Sequence, residues 1–104
     1  MVYNAIMRVR LILDKKTVLS DGRIVHRKVW MLPKATPDRP HGLKYSLYCG
    51  KDGKNIVRYD NETGKGDHRH VGPDEVENTY RFLSLVRLLR DFDRDIAEPS
   101  GEIK

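Results

Sequence analysis

Short runs of alternating apolar and polar residues dominate the first half of the chain. Residues 5–13 (AIMRVRLIL) place apolar side chains on one side of an extended chain and Arg8 and Arg10 on the other, which predicts a half-buried strand. The apolar row of this run consists of Met7, Val9, Leu11 and Leu13. After a turn cluster at residues 20–22, residues 23–32 (RIVHRKVWML) are rich in the β-branched and aromatic types typical of a second strand.

A second pair of strands is predicted around a tight turn. Residues 33–42 carry three of the five prolines, and because proline cannot continue a helix or a central strand, this segment is expected to be a loop. Alternation resumes at residues 44–49 (KYSLYC) and returns at residues 55–60 (NIVRYD). Between them, Asp52 and Gly53 form a hairpin signal, so these two strands are expected to be antiparallel neighbours.

The C-terminal part of the chain predicts an amphipathic helix of about three turns. Its apolar residues recur at helical spacing and are Leu85, Leu88, Leu89, Phe92 and Ile96. Ser84 is a natural N-cap, although a start near Pro73 and Asp74 stays open at this point, and Pro99 and Gly101 end the helix. Residues 79–83 (TYRFL) are compatible with a short last strand.

The order of these elements indicates an α+β domain. Runs of strands followed by a helix favour an antiparallel, meander-like sheet of four to five strands with one C-terminal amphipathic helix. At 104 residues the chain is expected to form a single domain over residues 1–98, followed by a short polar tail at residues 99–104. One helix leaves apolar sheet surface uncovered, which favours a homodimer or a docked partner.

Charge and cysteine content indicate in which compartment the protein works and which class of partner it binds. The chain has 20 Lys and Arg against 15 Asp and Glu, a net charge of +5, which favours polyanionic partners such as RNA but also serves solubility. Cys49 is the only cysteine, so folding needs no internal disulfide, and its place in an apolar alternation predicts a buried side chain. No apolar run has the length of a signal peptide or a membrane span, so we expect a cytoplasmic protein without a membrane anchor.

Polar functional groups are concentrated in residues 58–70 (RYDNETGKGDHRH). In an extended chain His68 and His70 share one face, about 6.5 to 7 Å apart at the backbone, with Arg69 on the other. Because histidine holds both protonation states near neutral pH, one ring can accept a proton from an attacking hydroxyl while the other protonates the leaving oxygen. RNA supplies that hydroxyl at its 2′ position. The segment therefore predicts a ribonuclease site that needs no metal or other cofactor.

Neighbouring residues supply the remaining roles. Two glycines flank a lysine, so the backbone can bend sharply and present N–H groups and an ammonium to a phosphate. The expected phosphate-binding residues are Lys65, Arg69, Arg58, Gly64 and Gly66. The expected catalytic residues are His68 and His70, with Asp60 or Asp67 as the carboxylate that orients a ring.

Two other interpretations of this cluster stay open. His68 and His70, together with Asp67 or Asp60, are ligand types that transition metals prefer, which predicts a metal-dependent nuclease. Alternatively, the polar loop binds phosphate or a protein and catalyses nothing. Incubation with RNA, with and without a chelator, separates these possibilities.

Two further groups of charged residues have simpler interpretations. A basic stripe with aromatic residues on an open sheet face can bind RNA, and its members here are Arg8, Arg10, Arg27, Lys28, Trp30, Tyr48 and Tyr59. Strand aromatics are usually core residues, however, and for Trp30 we favour a place in the core. The charged face of the helix predicts a salt-bridged solvent surface made of Arg87, Arg90, Asp91, Asp93, Arg94 and Asp95.

The C-terminal half of the chain resembles a known family. IVRYDNETGKGDHRH, followed by TYRFLSLVRLLRDF, is similar to TumE-type toxin components of prokaryotic toxin–antitoxin systems, with matches at residues 59–61, 64–70 and 80–82. The resemblance implies a bacterial or archaeal cytoplasmic protein whose partner is an antitoxin, commonly of the helix-turn-helix type. Small toxins of this kind often cut RNA, which agrees with the histidine argument by analogy.

Overall fold

The computed structural model describes residues 8–98, which form one antiparallel sheet of six strands followed by one helix. The strands are β1 (Arg10–Val18), β2 (Ile24–Met31), β3 (Leu43–Lys51), β4 (Lys54–Asp60), β5 (His68–Val71) and β6 (Val76–Thr79), and the helix is α1 (Leu85–Ala97). Each strand pairs with the next in the chain. The α+β class, the meander order and the C-terminal helix are therefore confirmed, while the expected number of four to five strands is wrong.

Strand β1 lies further along the chain than predicted. Residues 5–7 of the predicted strand lie outside the described residues, and β1 continues through polar positions to Val18. A bulge between Leu11 and Leu13 places Leu11 beside Trp30 and Leu13 beside Val29, which point to opposite faces of the sheet. The single apolar row predicted through Leu11 and Leu13 is therefore wrong.

Two short polar strands, β5 and β6, complete the sheet and explain why it has more strands than predicted. Strand β6 has the sequence VENT and is exposed along its whole length, so it carries no apolar alternation that could reveal it. The strand predicted at residues 79–83 is wrong except at Thr79. Tyr80 and Phe82 leave the sheet, and the Phe82 ring packs against the ring of His41, with the ring centroids 3.9 Å apart.

Helix α1 starts where the N-cap signal predicts. The Ser84 side chain accepts a hydrogen bond from the Arg87 backbone N–H, which satisfies one of the donors left free at a helix start. The alternative start near Pro73 and Asp74 is wrong, because β6 lies between those residues and the helix.

The core lies between α1 and one face of the sheet, which we call the helix-side face. Its buried apolar residues are Val25, Val29, Tyr45, Leu47, Cys49, Val57, Tyr59, Leu88 and Phe92. Cross-strand register brings alternate residues of β2, β3 and β4 to this face. The predicted burial of Cys49 is confirmed, and burial raises the pKa of its thiol, so this cysteine serves as a small apolar side chain.

The charged face of α1 is salt-bridged as predicted, but only part of it is solvent surface, because Asp91 and Asp95 are buried. Asp91 accepts hydrogen bonds from the Tyr80 hydroxyl at 2.6 Å and from the guanidinium groups of Arg87 and Arg94 at 3.0 and 3.1 Å. Burial raises the pKa of Asp91, but these hydrogen bonds and charges outweigh it and hold the pKa below its usual 3.8. The ionised carboxylate therefore stabilises the docked helix.

Replacing Asp91 by Asn is expected to lower the free energy of unfolding at neutral pH by about 1 to 3 kcal/mol, because the amide loses charge-assisted bonds. A carboxylate whose pKa is lowered on folding stabilises the protein fully at pH values above its pKa in the unfolded chain. This stabilisation is lost as the pH falls through its pKa in the folded protein. Lowering the pH below 3.8 should therefore reduce the free energy of unfolding more in the native chain than in Asp91→Asn.

Urea unfolding at neutral and acidic pH measures this difference. Exchange of the exposed Glu98 for Gln is the control, and it should change the unfolding free energy by less than about 0.5 kcal/mol. An equal loss on acidification in the native chain and the Asp91 variant would contradict the assignment.

Candidate functional site

The sheet face directed away from α1, which we call the open face, is polar. One row of cross-strand neighbours on it consists of His26, Tyr48, Arg58, His70 and Glu77, and the adjacent row consists of Lys28, Ser46, Asp60, His68 and Thr79. Most of these side chains are half-buried because long polar groups pack against each other. The two rows around the histidines are therefore polar, and the apolar part of the open face lies at Leu11 and Trp30 on β1 and β2.

His68 and His70 share the open face, as the alternation of an extended chain predicts. Their ring centroids lie 6.4 Å apart. The side chains are 16% and 11% exposed, so each ring is held by its surroundings but can still be reached from solvent. Two imidazoles at this separation can contact the same phosphate group.

Asp60 orients the ring of His70. Nε2 of His70 lies 3.3 Å from Oδ1 of Asp60, and the other Asp60 oxygen accepts a hydrogen bond from Arg58 Nε at 2.8 Å. Because a carboxylate only accepts, Nε2 carries the proton of the neutral ring and Nδ1 carries the lone pair. Nδ1 has no hydrogen-bond partner among residues 8–98 and is not one of their buried unpaired atoms, so it is open to solvent. This geometry suits a general base.

His68 is held through the opposite nitrogen. Its Nδ1 lies 3.1 Å from the carbonyl oxygen of Gly66 and must donate to it, which leaves Nε2 facing the Glu77 carboxylate at 3.1 Å. Nε2 donates only when the ring is doubly protonated, and in that form it can deliver a proton to a leaving group. Glu77 lies on the edge strand β6 and is 45% exposed, so a ligand can displace it.

Arg58 lies on the open face with the two histidines, between two carboxylates. Its Nε binds Asp60 and its Nη1 binds Glu75. Burial lowers the pKa of Arg58, but the two carboxylates outweigh this effect and raise it above its usual value. In the described part of the chain, Nη2 has no hydrogen-bond partner and is not buried, so a permanently charged donor is available to an anion.

Asp67 faces the helix side, away from His68 and His70. It accepts a hydrogen bond from the Tyr45 hydroxyl at 2.6 Å and lies 3.0 Å from Nε2 of His41. Nδ1 of His41 accepts from a backbone N–H, so Nε2 carries the proton and donates to Asp67. Asp67 thus orients a histidine, but it is the one in the proline-rich loop, and the carboxylate fixes that loop to the sheet.

Arg69 also faces the helix side. Its Nε donates to Asp95 at 2.8 Å, and its guanidinium lies 5.8 Å from the centroid of the Tyr59 ring. Asp95 in turn accepts from the Tyr59 hydroxyl at 2.6 Å. This expected phosphate ligand therefore fastens β5 to α1 and does not meet the two histidines.

The turn that contains Lys65 is bent as predicted, and two of its N–H groups are already bonded. Gly64 and Gly66 have φ values of +80° and +77°, which favour glycine. The Gly64 N–H donates to Oδ2 of Asp38 at 2.8 Å, and the Lys65 N–H donates to the Glu62 carbonyl at 3.0 Å. The Lys65 ammonium is exposed and lies 3.6 Å from the Glu62 carboxylate. The side chain, more than the backbone, can therefore serve an anion.

An open cleft borders this turn. It is lined by Arg39, Lys44, Glu62, Thr63 and Lys65. Arg39 is 8% exposed and donates from Nε and Nη2 to the Asn61 carbonyl. Three of the five lining side chains carry a positive charge, so the cleft is basic although Glu62 offsets part of that charge.

Within residues 8–98, no three His, Cys, Asp or Glu side chains are grouped as a metal ion would require. The one helix described is too short and too polar to cross a membrane.

Comparison with known proteins assigns the family. The family model described as Toxin TumE matches residues 5–100, nearly the whole chain. The chain belongs to the TumE toxin family. No curated protein and no solved structure matched it. Membership places the chain on the toxin side of a toxin–antitoxin system, and a TumE toxin accordingly has an antitoxin as its partner.

Two side chains beside the histidines on the open face of this TumE family member were not predicted: Ser46 and Glu77. The hairpin signal at residues 52–53 locates Ser46 and Tyr48 only approximately. A bulge between Cys49 and Gly50 shifts the register by one residue, so a count from the turn pairs Tyr48 with Val57, whereas its partner is Arg58. Glu77 lies in a strand that has no apolar alternation.

The proposed basic stripe of this TumE toxin is divided between the two faces. Arg27 and Tyr59 lie on the helix side, where Arg27 covers the Phe92 ring at 5.4 Å. Lys28, Trp30 and Tyr48 lie on the open face. The placement of Trp30 in the core is wrong: it is neither a core residue nor one of the half-buried apolar residues packed against the core.

Proposed function

We propose that this TumE toxin cleaves RNA without a metal ion, with His70 as the general base and His68 as the general acid. The observation that carries the proposal is that each ring on the open face is held through a different nitrogen. Nε2 of His70 donates to Asp60, so its Nδ1 carries a lone pair that can accept a proton. Nδ1 of His68 donates to the Gly66 carbonyl, so its Nε2 is the nitrogen that can carry and deliver the acidic proton.

The reaction follows from these positions. Nδ1 of His70 accepts the proton of the 2′-hydroxyl, the 2′ oxygen attacks the adjacent phosphorus, and the bond from phosphorus to the 5′ oxygen breaks. Nε2 of His68 donates its proton to that leaving oxygen. Arg58 stabilises the negative charge that develops on the phosphoryl oxygens through its free Nη2. The products are a 2′,3′-cyclic phosphate and a 5′-hydroxyl.

Asp60 stabilises the imidazolium that His70 becomes when it takes the proton. The carboxylate keeps the ring in the required tautomer, and its second oxygen is bound by Arg58, which fixes its position. Among the residues expected from the sequence, His68, His70, Asp60 and Arg58 enter the mechanism directly. Lys65 lines the basic cleft, and Gly64 and Gly66 shape the turn that carries it.

The antitoxin is proposed to bind the open face. The resemblance to known toxins favours an antitoxin of the helix-turn-helix type, and an acidic segment of such a protein would complement the cations of the open face. A homodimer stays a prediction to which we assign no contact surface.

Incubation of the purified protein with labelled RNA, with and without a chelator, tests the proposal. We expect cleavage to continue at an undiminished rate when the chelator is present. Cleavage that stops on chelation would favour the metal-dependent nuclease instead. Retention of intact RNA would favour a binding module without catalysis.

A further inference from the structure

We propose that Trp30, Lys28 and Lys44 form a subsite, here called the tryptophan platform, on which one base of the RNA stacks. This inference deepens the function proposed above and rests on it. The ligand of the tryptophan platform would be the single-stranded RNA that flanks the cleaved bond.

The geometry around Trp30 matches what a nucleotide requires. The Nζ atoms of Lys28 and Lys44 lie 5.3 and 5.1 Å from the centroid of its ring system. The indole is half-buried on the open face beside Leu11, and it belongs neither to the core nor to the apolar residues packed against the core. Both ammonium groups lie over the ring, so a base that stacks on the indole would displace them from its face, and the displaced lysines could bind the phosphates of the same strand.

Two exposed lysines, Lys44 and Lys65, lie between the platform and the turn that precedes β5. Lys44 borders both the platform and the basic cleft, whose other cations are Arg39 and Lys65. The turn that carries Lys65 ends at Gly66, and the Gly66 carbonyl holds the ring of His68. RNA that stacks on Trp30 could therefore contact these two lysines on its way to the proposed acid.

The sheet register sets the spacing between the two sites. Trp30 lies on β2 opposite Lys44, whereas His68 lies on β5 in the row that begins with Lys28, so three strand intervals and two residues separate them. With about 4.8 Å between strands and about 3.3 Å per residue, this distance is about 16 Å. About two or three nucleotides of extended single strand would span it.

Trp30 is the only tryptophan of the chain, so its fluorescence reports directly on the platform. The probe is a six-nucleotide RNA in which every 2′-hydroxyl is methylated, because this strand lacks the nucleophile and stays intact. We expect saturating probe to quench the fluorescence. Trp30→Ala should weaken binding of a labelled probe by about ten-fold or more, and Trp30→Phe should retain most of it.

Lys15→Ala is the matched control for Lys44→Ala. Lys15 lies opposite Arg27 on the helix side of the sheet, so its loss should leave binding unchanged, whereas loss of Lys44 should weaken it several-fold. Unchanged fluorescence at saturation, or equal binding by the native chain and Trp30→Ala, would overturn the platform.

Substrate length separates this inference from the proposed function. Trp30→Ala should lower kcat/KM for a cleavable six-nucleotide RNA about ten-fold but leave a dinucleotide unaffected, because the dinucleotide is too short to reach the platform. An equal loss for both substrates, or for neither, would overturn it. Quenching by the methylated probe without cleavage of any RNA would refute the ribonuclease proposal and support the tryptophan platform. Cleavage of RNA without quenching would support the ribonuclease proposal and refute the tryptophan platform.

Discussion

Replacement of His70 by Gln is expected to lower RNA cleavage at least about 100-fold and to abolish growth inhibition by the expressed toxin. Glutamine has a similar size and keeps a polar group but cannot exchange a proton near neutral pH. The same loss is expected for His68→Gln, because the leaving oxygen then departs without protonation. Initial cleavage rates of purified proteins and growth curves after induction measure both effects.

His26→Gln is the matched control for these variants. His26 lies on the open face in the same row as His70, but its ring is paired with Asp14 at 2.8 Å and stands two strands from Arg58. It should keep cleavage within a few-fold of the native chain and should stay toxic. Comparable urea midpoints for all three variants establish that the fold is intact. Growth inhibition that persists in both His68→Gln and His70→Gln would remove these residues from the mechanism.

Phe92→Ala is expected to lower the free energy of unfolding by about 3 to 5 kcal/mol. The Phe92 side chain has no exposed surface, its ring meets that of Tyr59 edge to face at 6.0 Å, and the Arg27 guanidinium covers its other side. Truncation leaves a cavity and removes the aromatic face beneath a cation. Since domains of this size are stable by about 5 to 15 kcal/mol in total, the loss should be visible as a large fall in the urea midpoint.

Val86→Ala controls for any general effect of changing α1. Val86 lies on the same helix but is 64% exposed, so its truncation should change stability by less than about 0.5 kcal/mol. A loss below about 1 kcal/mol in Phe92→Ala would show that α1 does not close the core. The helix also holds β5 through Asp95 and Arg69, so activity should fall in proportion to the unfolded fraction.

Alternation predicted the central strands because β2, β3 and β4 bury one face and expose the other. The same parity predicted correctly that His68 and His70 share a face with Arg69 opposite. Applied consistently, it would also have placed Asp67 with Arg69, since both have odd numbers in the same extended segment. The expected role for Asp67 beside the histidines failed at this step.

The remaining differences arise from features that leave no periodic signal. The bulge at Leu11 to Leu13 reverses the faces of residues on either side, and β6 is held only by pairing at the edge of the sheet. The Gly66 carbonyl that assigns the tautomer of His68 is a backbone group, so no side-chain pattern reveals it. Alternation therefore predicted that the two histidines share a face, but the tautomers on which the proposed roles of base and acid rest depend on hydrogen bonds that only the structure shows.

The chemical nature of the cleaved ends tests the central claim most directly. RNA incubated with the purified toxin and a chelator should yield 2′,3′-cyclic phosphate and 5′-hydroxyl ends, because the 2′ oxygen is the nucleophile and His68 protonates the 5′ oxygen. A strand methylated at its 2′ positions should stay intact. Products with 5′-phosphate ends, or cleavage of the methylated strand, would show that water is the nucleophile and would contradict the mechanism.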